Sequence, residues 1–446
     1  MTTEHATTAL RRALAPFGLA PFGLAPDDAR SVSAPIDVPS SMPDAGITLV
    51  TGPSGSGKSR LLANLSKQSR VVVGSTERIE PNTSVIDQFE GDASARDIER
   101  RLRLLAGFGL ADATLFARRA GILSEGERHR LALAVAADRA ERTDARLVLF
   151  DEFCSPLDRV TAASVAAGLW KWSRGAGRAV VCATAHEDMA ALLAPDTLLR
   201  LDGRTARFHE RTQTRPRMLR RRFAIEPGTI ADYDRLARHH YRAGRPAVWS
   251  RVLRATNAGQ IVGVLVTARP TLNGAWRRRA WPGRYRTDRR SAAARRLNRE
   301  VRRIARVVVD PRYRGVGLAR RLVESYLAEP ETPATEAVAV IGGLCPFFER
   351  AGMEPFRIRA RAEDLRLADA LDEAGLSWWD LTGDAARPAW LRAELERWAR
   401  SIGRAGMRLC SQREIERAAA RRLGSVTAPG MGEAIGGMGR AYAHAG

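Results

Sequence analysis

Lysine is almost missing from this chain: Lys58, Lys67 and Lys171 are the only ones among 72 basic residues. So strong an arginine bias follows from GC-rich coding, so the net charge of +22 says little by itself and only local clusters of charge are informative. Cysteine is scarce as well. Cys154, Cys182, Cys345 and Cys410 are scattered without paired spacing, which argues against a disulfide framework or a zinc site and suits reduced thiols in a cytoplasmic protein. No run approaches the ~18 uninterrupted apolar residues of a membrane helix. Pro16, Pro21 and Pro26 break the apolar part of the N-terminus, which argues against a secretory signal. What is present is a chain of 446 residues, 45% hydrophobic and 27% charged, enough for two ordinary globular domains.

Residues 1–44 read as a flexible lead-in, with the repeat Leu14-Ala-Pro-Phe-Gly followed by Leu19-Ala-Pro-Phe-Gly. From 45 to 203, β-branched runs near 47–51, 71–73, 147–150 and 180–184 alternate with helical stretches, predicting a parallel α/β sheet. Residues 204–222 hold eight arginines against Glu210 and read as a basic linker. A second α/β domain is expected over 223–385. It has a helix from Ile230 to Tyr241 and a hairpin turning at Asn257-Ala258-Gly259. A strand from Ile304 to Asp310, a helix from Leu318 to Ala328, a strand to Ile341 and a helix from Pro346 to Ala351 follow. Residues 386–446 read as a helical tail whose Gly/Ala-rich end, from Gly430, is expected to fray.

Gly52-Pro53-Ser54-Gly55-Ser56-Gly57-Lys58-Ser59 follows an apolar strand and precedes a helical run. Glycines at this spacing let successive backbone N–H groups converge on phosphate oxygens at a helix N-terminus. Lys58 would charge the cradle, and the Ser59 hydroxyl would ligate Mg²⁺. Leu147–Phe150 ends in Asp151, expected in the Mg²⁺ shell, and Glu152, expected to polarise the attacking water. These residues predict an ATP-hydrolysing P-loop domain. Leu123-Ser124-Glu125-Gly126-Glu127 then resembles the signature of ABC-type ATPases, with Glu125 and Glu127 departing from its usual glycine and glutamine. Ser155-Pro156-Leu157-Asp158 resembles their D-loop, His186 their switch histidine and Gln88 their Q-loop residue. The resemblance implies nucleotide contacts from Ser124 and Gly126, a metal contact from Gln88, a catalytic role for His186, and head-to-tail homodimerisation. No aromatic partner for adenine is assigned.

A second motif runs Val307-Val308-Val309-Asp310-Pro311-Arg312-Tyr313-Arg314-Gly315-Val316-Gly317. Strand, glycine turn and helix could place backbone N–H groups on a diphosphate. The segment resembles motif A of GNAT acetyltransferases, which implies that residues 307–309 and 312–317 bind acetyl-CoA. Pro346 to Met353 resembles the family's motif B, with Phe348 where many members have a tyrosine acid and Ile341 where an asparagine is common. Glu300, Glu336 and His240 are candidates by position for general acid–base roles. The combination resembles prokaryotic ABC-ATPase–acetyltransferase fusions, and its second half is loosely similar to Mom-type enzymes that modify adenine in DNA.

Between Arg269 and Arg306 stand fourteen arginines against Asp288 and Glu300. Trp276, Trp281 and Tyr285 are interleaved, a pattern that suits phosphate gripping and base stacking, and so DNA or RNA as partner. The expectation is an ATP-driven N-acyltransferase acting at nucleic acid; a protein or small-amine acetyltransferase switched by the ATPase domain is the alternative, and a transporter's ATPase subunit is a third reading that the appended acyltransferase segment and basic loop disfavour.

Overall fold

The computed structural model describes residues 42–43, 45–92, 95–202, 206–209, 215–216, 218, 223–240, 244–272, 274, 276–285, 290–339, 342, 345–357, 361–376, 378–383, 387–401, 411–426 and 440–445. Nearly all of the expected lead-in, most of the expected linker, Ile341 and Cys410 lie outside the described residues. Cys154, Cys182 and Cys345 are free thiols.

The first sheet contains β1 (Ile47–Thr51), β2 (Val71–Gly74), β3 (Leu147–Phe150), β4 (Ala179–Thr184), β5 (Thr197–Leu201) and β6 (Ala206–His209), ordered β2-β3-β4-β1-β5-β6. The first five are parallel, and β1, β3 and β4 are buried along their whole length. Continuous apolar strands of this kind are what a parallel sheet covered on both faces requires. The antiparallel edge strand β6 occupies part of the segment read from sequence as a linker, so that expectation is corrected there. The main helices of this unit are α1 (Lys58–Leu65), α2 (Ala95–Gly107), α3 (Glu125–Arg142) and α4 (Arg159–Ala176). Helices α2 and α4 meet closely: a Cβ on Gly168 would lie 2.3 Å from the Gly107 carbonyl oxygen.

The second sheet is built from β7 (Ala224–Pro227), followed by α5 (Ile230–Leu236), then β8 (Trp249–Asn257) and β9 (Gln260–Ala268). The β8–β9 turn has Ala258 at φ 49° and Gly259 at φ 78°, the doubly left-handed pair that suits the twist of a hairpin. Next come α6 (Arg290–Glu300), β10 (Val301–Val309), α7 (Leu318–Ala328), β11 (Ala334–Ala339) and β12 (Glu354–Arg357). Three helices, α8 (Ala362–Glu373), α9 (Ala389–Ser401) and α10 (Gln412–Val426), share a core of Leu367, Leu371, Leu391, Leu395, Ile415 and Leu423. The described chain ends in β13 (Arg440–Ala445).

The order of the second sheet is β12-β13-β11-β10-β9-β8-β7; β10 and β11 run parallel and all other neighbours antiparallel. β13 thus lies inside the sheet, hydrogen-bonded to β11 on one side and β12 on the other. This corrects the expectation of a frayed end. Composition around Gly430 misled it, because Ala441, Tyr442 and Ala443 alone supply a short strand that the sheet buries.

The two units share one hydrophobic core. Phe108 and Leu110 of the first join Tyr313 and Val316 of the second. Hydrogen bonds cross the same boundary: Ser164 Oγ donates to the Arg312 carbonyl, Lys171 Nζ to the Gly315 carbonyl, and Arg314 Nη1 to the Ala111 carbonyl at 3.1 Å.

Candidate functional site

Strand β4 lies between β1 and β3, so the glycine loop, Asp151-Glu152 and the turn to His186 leave the carboxyl edge of three neighbouring parallel strands. Open α/β sheets bind ligands along that edge. In the loop, Gly55 and Gly57 have φ of 79° and 95°, and a Cβ on Gly52 would sit 2.1 Å from the Leu201 carbonyl oxygen, so a side chain is excluded there. Lys58 Nζ donates to the carbonyls of Gly52 and Pro53, both at 2.8 Å, which fixes the buried ammonium inside the loop. Ser56 Oγ is buried with no protein partner, a polar atom that a phosphate oxygen would satisfy. No acid stands in the first turn of α1 to compete with an anion. Pro53, Ser54 and Ser59 are exposed at the rim.

Glu152 is held at φ 48°, a left-handed conformation that non-glycine residues adopt mainly under constraint. Its Oε2 accepts from Ser155 Oγ at 2.7 Å, and its backbone N–H donates to Asp151 Oδ1 at 2.9 Å. His186 is half-buried just beyond β4, its backbone N–H donating to Thr184 Oγ1 at 3.3 Å. Among the described residues no group of three or more His, Cys, Asp or Glu forms a metal cage. Mg²⁺ needs none, since it is commonly held by one or two protein oxygens together with phosphates and water. Ser59 and Asp151 fit that donor set. Gln88 is engaged elsewhere: Oε1 accepts from the Glu80 N–H at 3.0 Å, and Nε2 donates to the carbonyls of Glu80 and Thr83 at 2.7 and 3.2 Å.

Ser124 caps α3, and Glu127 closes a capping box on it, with Ser124 N to Glu127 Oε2 at 2.9 Å. The departure from glutamine at 127 therefore has a local helical reason. A Cβ on Gly126 would come 2.9 Å from Leu157 Cδ2, so the segments Leu123–Glu127 and Ser155–Asp158 are packed together. Asp158 caps α4, accepting from the N–H groups of Val160 and Thr161 at 3.0 and 3.1 Å. Burial alone would raise its pKa, but the hydrogen bonds from Thr161 and Val160 outweigh that and hold it low. Sequence reading missed His129. Its buried Nε2 accepts the Cys154 N–H at 3.1 Å and so ties α3 to the turn beyond Glu152. A lone histidine whose partner is a backbone group 25 residues away leaves no spacing signal.

In the second unit, β10 pairs with β9 as far as Val309 but with β11 only through Ile304. The two parallel strands then diverge, and Ala305–Val309 line a cleft of about 1720 Å³. Gly315 and Gly317 have φ of 78° and 88°, and Gly317 caps α7 with an open N-terminus. Arg312 does not reach into the cleft freely, because it forks onto Asp310 at 3.1 and 2.8 Å. Tyr313 is a core residue whose hydroxyl accepts from Asn257 Nδ2 at 2.8 Å. Arg314 holds the carbonyls of Val309, Ala111 and His239 at 3.3, 3.1 and 3.1 Å.

Of the three acid–base candidates, only His240 lines the cleft. Glu336 is buried in a fork with Arg277, both contacts at 2.6 Å, and Glu300 gathers Arg284, Arg296 and Arg299. For Glu300, partial burial raises the pKa but the three arginine hydrogen bonds lower it further, leaving it below the usual range and a poor base. Phe348 is buried against Tyr442, ring centres 4.9 Å apart.

The aromatics of the basic segment are not a stacking platform, which corrects that expectation. Trp276 and Trp281 pack with Leu297, Val301 and Phe356, and Tyr285 lies against Trp281. Their spacing reflects a core under α6 rather than an exposed face. Arg278, Arg279, Arg295 and Arg299 remain on the surface.

No family model matches the chain. It is 34% identical over 206 residues to the aliphatic sulfonates import ATP-binding protein SsuB 3 of Nocardia farcinica, a match spanning 41% of this chain and 79% of the relative. The chain therefore belongs to the ATP-binding-cassette family, and its first unit is a cassette that binds and hydrolyses ATP. Among solved structures, cbiO1 from Clostridium perfringens, part of the ABC transporter complex cbiONQ, is 16% identical with a TM-score of 0.31 over 37% of this chain and 77% of its own. The ATP-binding cassette MJ0796, in a dimeric post-hydrolysis state with ADP and Pi, is 18% identical with a TM-score of 0.33 over 39% and 89%.

Proposed function

We propose that the cassette works as a head-to-tail pair, with Ser124 and Gly126 of one copy closing over nucleotide held at Gly52–Ser59 of the other. Asp151 and Ser59 hold Mg²⁺, joined by Gln88 once its amide leaves Glu80. Glu152 orients the attacking water and His186 senses the γ-phosphate. The observation that carries this is the buried Lys58 ammonium, fixed within the loop beside the unpartnered Ser56 hydroxyl. Replacing the base should leave binding and remove turnover. Glu152→Gln should bind Mg-ATP with unchanged affinity while phosphate release falls at least ~100-fold, the scale of a lost general base. Near-wild-type turnover in that variant rejects the assignment.

The second unit we read as an acetyl-CoA-dependent N-acyltransferase. Acetyl-CoA supplies the thioester when bound. The free edge of β10 offers N–H groups to the acyl oxygen, and the glycine turn at Arg314–Gly317 and the N-terminus of α7 receive the diphosphate. The acceptor amine forms the new C–N bond as the C–S bond breaks; its proton passes to His240, and the departing thiolate takes one from solvent. Diverging β10 and β11 support this reading, because only a splayed pair exposes such an edge. The surface arginines support nucleic acid as the site of action. DNA or RNA that stimulates turnover, with binding that weakens steeply as salt rises, supports that acceptor. Acetylation of free polyamines or peptides indifferent to nucleic acid supports the alternative.

A second reading is favoured by the Nocardia relative, an import ATP-binding protein. Here the cassette would drive uptake through a membrane partner, since no described helix is long and apolar enough to cross a membrane. Co-purification with a permease distinguishes it.

A further inference from the structure

The cleft beside β10 is not confined to the second unit. Its opposite wall is the cassette: Arg103 and Phe108 from α2 and its end, and Trp170 and Lys171 from α4. Ten of the lining residues are Arg or Lys, and only Asp112 and Glu141 are acids, so the cleft selects anions. Lys171, Arg320, Arg321 and Arg350 line it together. Lys171 has its pKa lowered by desolvation first and then by Arg350, Arg320 and Arg321, a concentration of like charge with no carboxylate among its causes. Arg320 also pairs with Glu324 at 3.4 Å, and a bound polyanion would offset the repulsion among the four cations. Lys171 also donates to the Gly315 carbonyl, so the cassette holds the glycine turn in place as well as facing what the turn would bind.

We propose that the cleft is a composite site for a phosphorylated acyl donor, the cassette supplying Lys171 as one jaw and Arg320, Arg321 and Arg350 forming the other. The inference rests on the acyltransferase reading and deepens it, because donor binding then requires both units together. Trp170 and the apolar end of α2 complete the wall along which the uncharged arm of the donor lies.

Titration calorimetry of the full chain with coenzyme A tests it. Wild type binds; Lys171→Glu weakens binding at least ~10-fold, the scale of losing one charge-assisted contact, while Lys171→Arg stays within about threefold. Arg350→Glu, at the exposed rim, gives an independent loss and guards against a Lys171 variant that misfolds. If Lys171→Glu, folded by its melting profile, binds coenzyme A as wild type does while Arg350→Glu is impaired, the site belongs to the second unit alone and the composite proposal is overturned. If wild type binds no coenzyme A, the acyltransferase reading itself fails and the proposal with it.

Discussion

His129 shows how one buried side chain can set a property of the whole cassette. Burial, reinforced by Arg130, depresses its pKa from the ordinary 6.5 to about 4, so the folded imidazole stays neutral and accepts the Cys154 N–H. An unfolded chain protonates the same group near 6.5. Between those values the unfolded state holds the extra proton; stability is therefore complete above pH 6.5 and declines as pH falls toward 4. From pH 7 to pH 5 this residue should remove roughly 2 kcal/mol. Urea unfolding checks it: His129→Gln keeps an acceptor without a titrating ring and should lose about that much less than wild type over the same range. Equal losses in the two proteins would mean that His129 does not stay neutral in the fold.

At the scale of elements, the C-terminal strand is the sharpest departure from sequence reading. β13 bridges β11 and β12 with backbone hydrogen bonds on both sides, so removing residues 440–446 should open the second sheet rather than trim a loose end. A chain ending at 439 should lose the more stable part of its amide protection in β11 and β12, while β1, β3 and β4 keep theirs; unchanged exchange in β11 would refute the placement. Elements with strong local signals were legible: β3, β9 and α7 fall where apolar runs, the Ala258-Gly259 turn and helical periodicity put them. The placement of the glycine loop and of Asp151-Glu152 at the ends of β1 and β3 was legible for the same reason, since each directly follows a contiguous apolar strand. What was not legible depends on partners far along the chain. Trp276 and Trp281 resemble a stacking surface until Phe356 is placed beside them, and Glu336 resembles a free base until Arg277 is. Residues 440–445 form a strand only because a gap between β11 and β12 receives them.

Across the whole molecule, α4 runs from the turn beyond Glu152 to the wall of the cleft. Asp158, three residues beyond the Ser155 that donates to Glu152, caps it, and its 18 residues span about 27 Å at 1.5 Å each. Along that length Ser164 holds the carbonyl of Arg312, just before the glycine turn of the second unit, and Lys171 that of Gly315 within it. A helix held at both ends transmits a tilt rather than absorbing it, and Gly168 pressed on Gly107 leaves little room for slippage. Nucleotide that repositions the D-loop should therefore change how the turn sits in the cleft. The expected result is a coenzyme A dissociation constant that differs at least ~5-fold between nucleotide-free protein and Glu152→Gln saturated with Mg-ATP, the low end of ordinary site-to-site coupling. Thermodynamic reciprocity requires coenzyme A to shift Mg-ATP affinity by the same factor. Ser164→Ala, which releases one of the two grips, should reduce both shifts together. Coenzyme A affinity that ignores the nucleotide state would uncouple the cleft from the cassette and leave the shared core as packing alone.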